Sequence, residues 1–310
     1  MFIPVSAVIA TVNRPARLTA TIATILEQSY VPAELIVVDG SVEPPSAIGS
    51  WEKQFEKLQY VAAVRLGAAS QRGQGVAAAS HEYILFFDDD VDLQPDCLRR
   101  LWEALQGDLG LGGVNATIIN QQYHPPGAFS RWMFTLMHGR AEETFAGKVI
   151  GPAINLLPED RNDLPEVVPV EWLNTTCTMY RREVLPSPAF DDIFTGYSLM
   201  EDVTLSRRVA TAGWKLGNVR RAQIFHHSHS AADKQDIAAM AFMEFRNRRY
   251  VMTEILNRRS FSDYLRLGLW ECFTVVSGLT NAGGFQNLPK VLTGKLRALF
   301  ASGSLGRFRT

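Results

Sequence analysis

The residues best suited to chemistry lie in residues 86–92, FFDDDVD. An apolar strand that ends in Asp88, Asp89 and Asp90 sets three carboxylates against one another. Such repulsion calls for a cation or water, and ligands that are all oxygen suit Mg²⁺, Mn²⁺ or Ca²⁺. Residues i and i+2 of an extended segment face the same way, so Asp88 and Asp90 can act on one ligand. The same run also fits a solvated acidic turn, with Asp92 as N-cap of the helix that follows. It is not an EF-hand loop, because Leu93 stands where glycine is needed and Arg99 where the last glutamate belongs.

Three further clusters accompany it. Glu201-Asp202 opens a helical stretch, where acidic side chains are favoured by the helix dipole but can also serve as a general base. His226-His227-Ser228-His229 ends a strand, and three histidines in four positions suggest a metal or phosphate contact. Alternation puts His227 and His229 on one face and His226 on the other. The run GAASQRGQGVAAAS is neither a Walker loop nor GxGxxG. Its small residues allow close approach of a ligand to backbone, with Arg72 able to pair with a phosphate, or they form a tightly packed helix with an exposed arginine.

The elements that must hold these groups alternate between short β-branched runs and helical patterns. Strands are expected at residues 5–11, 34–39, 61–66 and 83–87. Helices are expected after Pro15, over 51–58, within 73–80, and through Leu98, Leu101, Trp102 and Leu105. Strands that are apolar throughout and separated by helices indicate a parallel sheet covered on both faces. Right-handed crossovers then bring Thr11, Asp39, Gly67 and Asp88 to one edge. Regular structure weakens and prolines accumulate over 120–170, a variable excursion in which Phe129, Trp132, Met133, Phe134, Leu136 and Met137 form an apolar cluster beside Arg131 and Arg140, which suits a core or lid helix or an acceptor or membrane contact. Order resumes with 167–180, a helix between Gly196 and Gly213, strand-like segments at 214–219 and 222–227, and a helical remainder from about Ala238.

The chain has 310 residues, with 31 Lys/Arg against 32 Asp/Glu. A net charge of −1 argues against a nucleic-acid binder acting through a basic field. The charge is unevenly placed. Residues 246–310 carry eleven Lys/Arg and three Asp/Glu, a net of +8, which leaves −9 for the rest. A basic tail behind an acidic body points to an anionic membrane surface. Within it Arg246, Arg248, Arg249, Arg258 and Arg259 alternate with Phe245, Tyr250, Val251, Ile255 and Leu256, a pattern that suits either lipid contact or packing on the rest of the protein. Three scattered cysteines, Cys97, Cys177 and Cys272, fit neither a disulfide framework nor a thiolate zinc site, and suit a reducing compartment. The opening residues read as a buried strand rather than a signal peptide, and the apolar residues 264–285 are interrupted by Arg266 and Glu271, against a spanning helix.

Taken in order, VSAVIATVNRPARLTATIATILEQSY, ELIVVDGS, GAASQRGQGVAAASHEYILFFDDDVDLQPDCL, NTTCTMYRREVL, FTGYSLMEDVTLSRRVATAGWKL and the histidine strand with FRNRRYV resemble the family 2 glycosyltransferases of GT-A fold. The resemblance implies an α/β fold with a Rossmann-like, mostly parallel sheet flanked by helices. A GT-A domain is expected over residues 1–235, divided into a nucleotide half (1–119) and an acceptor and catalytic half (120–235), followed by a basic helical extension over 236–310. It implies transfer of a sugar, with inversion, from a nucleotide-diphosphate sugar to a hydroxyl of a glycan or lipid-linked acceptor, with Mn²⁺ or Mg²⁺ as cofactor. By position, Thr11 and Asp39 match groups beside the base and ribose, Arg72 lies near the nucleotide, and Asp88 and Asp89 belong to the donor site. Asp90, Asp88 and His226 match metal ligands, and Asp202 matches the catalytic base with Glu201 beside it.

The departures from the pattern are specific. Asp39-Gly40-Ser41 replaces a double acid before Gly-Ser, Thr204 replaces an aspartate beyond the base, and the QxxRW motif of processive synthases is missing, so one sugar per encounter is expected. A sugar nucleotidyltransferase would show a GxGTRL-type signature where this chain has ATVNRPARL. A non-catalytic carbohydrate- or nucleotide-binding protein of the same fold would have no need of Asp88, Asp90 and Asp202. The expected setting is cytoplasmic, peripheral on a membrane, without nucleic acid.

Overall fold

The computed structural model describes residues 1–43, 48–227, 236–279 and 283–301. In chain order its elements are β1 (Phe2–Thr11), α1 (Pro15–Leu26), β2 (Val31–Asp39), the single turn α2 (Ile48–Trp51), β3 (Lys57–Ala62), α3 (Ala68–Ala78), β4 (Tyr83–Phe87), β5 (Val91–Leu93), α4 (Cys97–Gly107) and β6 (Leu111–Ile118). There follow α5 (Ala128–His138), β7 (Val167–Pro169), β8 (Cys177–Arg181), α6 (Glu201–Thr211), β9 (Lys215–His226) and α7 (Ile237–Tyr250), which runs into a π-helical turn at Val251–Ile255. The last two are α8 (Phe261–Gly278) and α9 (Gly284–Phe300). They fall into two compact units: residues 1–125, 146–148 and 155–228 form the first, and residues 126–145, 149–154 and 229–310 the second. The boundary therefore differs from the expected 235/236, since 126–145 and 149–154 belong with the C-terminal helices.

The first unit is built on a nine-stranded sheet in the order β3-β2-β1-β4-β8-β6-β9-β5, with β7 beside β9. β1 is parallel to both β2 and β4, and β2 to β3. These strands need no polar face because both sides are covered: Val5, Ala7, Ile9, Leu35 and Leu85 are fully buried on one face and Val8, Ile36, Ile84 and Phe86 on the other. β8 enters antiparallel between β4 and β6, which makes the sheet mixed in its second half. The chain winds outward from β1 to β2 and β3, then returns to the other side of β1 for β4. Ligands of open α/β sheets bind at such a reversal, outside the strands' carboxyl ends. Here those ends are Thr11 and Phe87-Asp88.

Several local expectations give way to pairing. The helix expected over 51–58 is one turn ending at Trp51, because Lys57–Ala62 pairs as an edge strand with β2, in the register Glu34↔Lys57 to Asp39↔Ala62. Asp92 caps no helix. It lies in β5, whose antiparallel pairing with β9 sets Phe225 opposite it, and α4 begins only after Asp96, whose backbone is left-handed (φ 62°). The two strand-like segments at 214–219 and 222–227 are one long strand, β9, with a register shift between Val219 and Gln223. Cys97 and Cys177 are buried free thiols, and Cys272 is exposed.

The second unit packs α7 against α9 around Phe245, Met252, Leu267 and Ala298. Glu271 is buried and meets both Lys295 and Arg248 Nε, the latter at 3.2 Å. Arg248 also donates to the Ala153 carbonyl at 3.0 Å, and Arg258 to that of Gly151. Part of the basic stretch 245–259 therefore packs on the rest of this unit: Phe245, Val251 and Met252 are buried and Arg248 is spent on internal partners. Among the described residues no helix is long and apolar enough to cross a membrane.

Candidate active site

Register explains why acids far apart in sequence share one edge. Ile9 lies opposite Phe87, so Thr11, two residues on, stands beside Asp89, and its hydroxyl donates to Asp89 Oδ2 at 2.5 Å. Arg14 reaches the other oxygen of Asp89 at 3.1 Å and lies 3.8 Å from Asp90. With both oxygens engaged inside the protein, Asp89 ties β1 to the acidic loop. Burial pushes its carboxyl up, Thr11 and Arg14 oppose that, and the neighbouring Asp90 and Asp88 add to it.

Asp88, Asp90 and His226 form a second group. Antiparallel pairing of β5 with β9 sets His226 opposite Val91, and the His227 amide donates to the Asp90 carbonyl at 2.9 Å, which locks the strand end against the loop. His226 Nε2 is 3.1 Å from Asp90 Oδ1 and 3.8 Å from Asp88 Oδ2, and one ligand atom from each residue falls within 4.8 Å of the others. Burial disfavours the imidazolium, but the carboxylates of Asp90 and Asp88 outweigh it and raise the His226 pKa. Nδ1 of the same ring lies 3.1 Å from the Gln121 amide. That amide nitrogen donates, so Nδ1 accepts and the ring proton lies on Nε2, toward Asp90; a metal ion at Nε2 would need the Gln121 amide turned so that its oxygen accepts from Nδ1–H. His227 points elsewhere, to Asp92 at 2.6 Å, and His229 lies outside the described residues.

Arg72 joins this group to a third. From α3 its guanidinium donates to Asp88 at 2.5 Å and to Glu201 at 2.7 Å, and it is only 5% exposed. Burial works against its charge, while Asp88 and Glu201 raise its pKa. It is neither an exposed arginine nor free for a phosphate: it is a clamp between the acidic loop and α6. Glu201 is pushed up by burial and by Asp202, against the pull of Arg72. Asp202 is also pushed up by burial. The Val203 amide at 2.7 Å and Arg72 oppose this, and Asp88 adds to it. Asp202 is only half-buried, and no side chain hydrogen-bonds its carboxylate among the described residues.

The loop before α6 is held tightly enough to aim that carboxylate. Gly67, at φ 125°, pairs with Gly196, and a Cβ at Gly67 would come within 2.9 Å of the Gly196 nitrogen. Ser198 accepts the Ala69 amide at 3.2 Å, and both Ser198 and Met200 have left-handed backbones, which side-chain-bearing residues adopt only when their surroundings enforce it.

Beside Thr11 a cleft of about 360 Å³ is lined by Asn13, Asp39, Ser41 and Glu43. Asp39 Oδ1 accepts from the Ser41 amide at 2.7 Å, and Oδ2 from the Tyr60 hydroxyl at 2.5 Å. All nine expected residues therefore lie in the first unit, where Asp88, Asp90, His226, Arg72, Glu201 and Asp202 form one cluster and Thr11, Asp89 and Asp39 line its flank. Sequence reasoning missed Arg14, Tyr60 and Gln121. Only Arg14 left a signal, three residues past Thr11; the other two arrive through tertiary contact alone.

The sequence profile described as Glycosyl transferase family 2 matches residues 6–186, more than half the chain. An uncharacterized glycosyltransferase of Rickettsia bellii is 34% identical over 87 residues, which are 28% of this chain, and the chain spans only 13% of that relative's length. Among solved structures, the mannosyltransferase PcManGT from Pyrobaculum calidifontis, in complex with GDP-Man and Mn²⁺, gives a TM-score of 0.54 at 18% identity, covering 97% of this chain and 76% of the other. S. aureus TarS 1-349 with UDP-GlcNAc gives 0.57 at 12% identity, covering 94% and 79%. At such identities the likeness is one of fold, and that fold has the GT-A arrangement. From the match over residues 6–186 and the topology together, the chain belongs to glycosyl transferase family 2.

Proposed function

We propose that this chain moves a single sugar from a nucleotide-diphosphate donor to a hydroxyl of a glycan or lipid-linked acceptor, with inversion and with Asp202 as general base. The observation that carries the reading is the coupling of two groups through one buried arginine. Arg72 binds Asp88 of the acidic loop and Glu201, the immediate neighbour of Asp202. Two carboxylates and an imidazole with mutually close ligand atoms fit Mn²⁺ or Mg²⁺. PcManGT and GalNAc-T7 are both described with Mn²⁺. Asp88, Asp90 and His226 would hold the ion, which when bound neutralises charge on the leaving diphosphate.

The chain's own residues supply the rest. Thr11, Asn13, Asp39 and Ser41 line the cleft that takes the nucleoside, and Tyr60 fixes the Asp39 carboxylate. Asp202 accepts the proton of the attacking hydroxyl. Its raised pKa makes it a better acceptor than an ordinary aspartate. Glu201 is a positioning residue, fixed by Arg72. Inversion by single displacement needs the base on the face opposite the leaving group, and a carboxylate separate from the metal-ligating pair suits that need.

The test is release of nucleoside diphosphate from a panel of UDP-, GDP-, dTDP- and CDP-sugars with Mn²⁺. One donor is expected to turn over in the wild type and not in Asp202→Asn, with nucleotide binding kept. Full turnover in Asp202→Asn would overturn the assignment of the base.

A further inference from the structure

Helix α9 turns one face to α7 and the opposite face to solvent. The inner face is made of small residues: Gly294 and Ala298 are buried, and a Cβ at Gly294 would run into the carbonyl oxygen of Ala238 on α7. Steps of three and four carry the outer face through Phe285, Pro289, Leu292, Leu296 and Phe300, all exposed, with Phe285 at 75% and Phe300 at 80%. An ordinary surface helix keeps that face polar. Here Lys290 and Arg297 flank the stripe, and neither meets a carboxylate among the described residues.

The same inversion recurs on two neighbours. On α8 the exposed residues Phe261, Leu265, Leu269 and Val276 follow one face. On α5, which packs on α8 through Phe134 and Trp270, Phe129, Trp132 and Leu136 are exposed beside Arg131. Three adjoining helices thus present apolar stripes, with exposed cations beside those of α9 and α5, and contiguous exposed apolar faces of this kind mark contact surfaces.

We propose that the outer faces of α5, α8 and α9 dock in the plane of an anionic lipid bilayer, with the apolar side chains entering the headgroup boundary and Lys290, Arg297 and Arg131 meeting lipid phosphates. Charge selects this occupant. Helix α9 carries Lys290, Lys295 and Arg297 and no Asp or Glu, and Lys290 and Arg297 are exposed beside its apolar stripe. A second copy seated on the same face would bring two such segments together, whereas an anionic surface is complementary. An amphipathic helix rich in aromatic and basic residues lies in the interface rather than spanning it, in keeping with the absence of a spanning helix among the described residues. The proposal rests on the sugar-transfer reading only in that a lipid-linked acceptor would give the contact its use.

The experiment is co-sedimentation of the full chain with phosphatidylcholine vesicles, with and without phosphatidylglycerol, at low salt. Wild type is expected to bind the anionic vesicles at least about tenfold more tightly than the neutral ones, and less tightly as salt rises. Leu292→Asp with Leu296→Asp, and separately Leu265→Asp with Leu269→Asp, are expected to weaken binding at least about tenfold. Lys290→Gln with Arg297→Gln is expected to reduce the preference for anionic lipid. Thermal melts and nucleotide binding verify that each variant is folded. The proposal is overturned if wild type does not sediment, if folded Asp variants sediment as wild type does, or if light scattering shows a dimer that the Asp substitutions dissociate in place of vesicle binding. Vesicle binding by a chain that binds no nucleotide would leave this surface standing and remove the sugar-transfer reading instead.

Discussion

Two buried carboxyl centres on the same sheet have opposite fates. Glu34, in the middle of β2, is fully buried and surrounded by donors: the Ser6 hydroxyl at 2.5 Å, the Ser80 amide at 2.9 Å, the Gln59 amide at 2.8 Å and Lys57 Nζ at 2.7 Å. Burial alone would raise its pKa, but Lys57, Ser6, Ser80 and Gln59 together bring it down to about 2. At the carboxyl edge, Glu201 has one arginine that it shares with Asp88, Asp202 has the Val203 amide, and both acids are pushed up. A saturated carboxylate stabilises the fold and can do nothing else. An under-supplied one costs stability and is left able to take a proton.

The largest expected effect breaks the second centre. Asp202→Asn should lower transfer about 10²–10⁴-fold by steady-state kinetics, without loss of melting temperature, because the side chain removed is one that burial disfavours in its charged form. Arg72→Met leaves Asp88 and Glu201 facing each other without their cation, and should cost about 3–5 kcal/mol in urea unfolding. Arg72→Lys keeps the charge but not the two-sided fork and should recover only part of that loss.

The contrast sharpens with pH. A lowered folded pKa means that Glu34 contributes fully above its unfolded value near 4.5 and loses that contribution as pH falls toward about 2. Wild type should exceed Glu34→Gln by on the order of 2–3 kcal/mol at neutral pH, with the gap closing in acid, as read from denaturant midpoints. Asp202 carries the opposite sign: its base form is lost at a pH above the ordinary carboxylate range near about 4. The acid limb of kcat/KM should therefore begin well above pH 4 and fall about tenfold per pH unit. The smallest effect is Lys57→Met. Half of the lysine side chain is in water, 49% exposed, so its removal should cost about 0–1 kcal/mol.

Much of this was legible in the chain itself. The apolar run YILFF announced a central strand, and DDD at its end announced the acidic edge. Asp202 and His226 could be placed by the ordered series of motifs. What was hidden depended on pairing. Residues 57–62 look helical until β2 offers them an edge, and Asp92 looks like a cap until β9 pairs with it. Arg72 read as a ligand for phosphate because sequence does not show that the carboxylates of Asp88 and Glu201 already occupy its fork. Asp89 read as a donor-site residue because nothing local reveals Thr11 and Arg14 bound to it. The basic tail misled in the same way: Arg246, Arg248, Arg258 and Arg259 meet partners within the second unit, and the exposed apolar faces belong to helices whose composition is less charged.

The central claim is that Asp88, Asp90 and His226 form a divalent-cation site that presents a nucleoside diphosphate to Asp202. Calorimetric titration of UDP, GDP, dTDP and CDP, with and without Mn²⁺, into the wild type and Asp90→Ala tests it most directly. Tight binding of one nucleotide that requires Mn²⁺ in the wild type and is lost in Asp90→Ala is the predicted result. Failure of every nucleotide to bind the wild type with Mn²⁺, or equal binding by both proteins, would contradict the account.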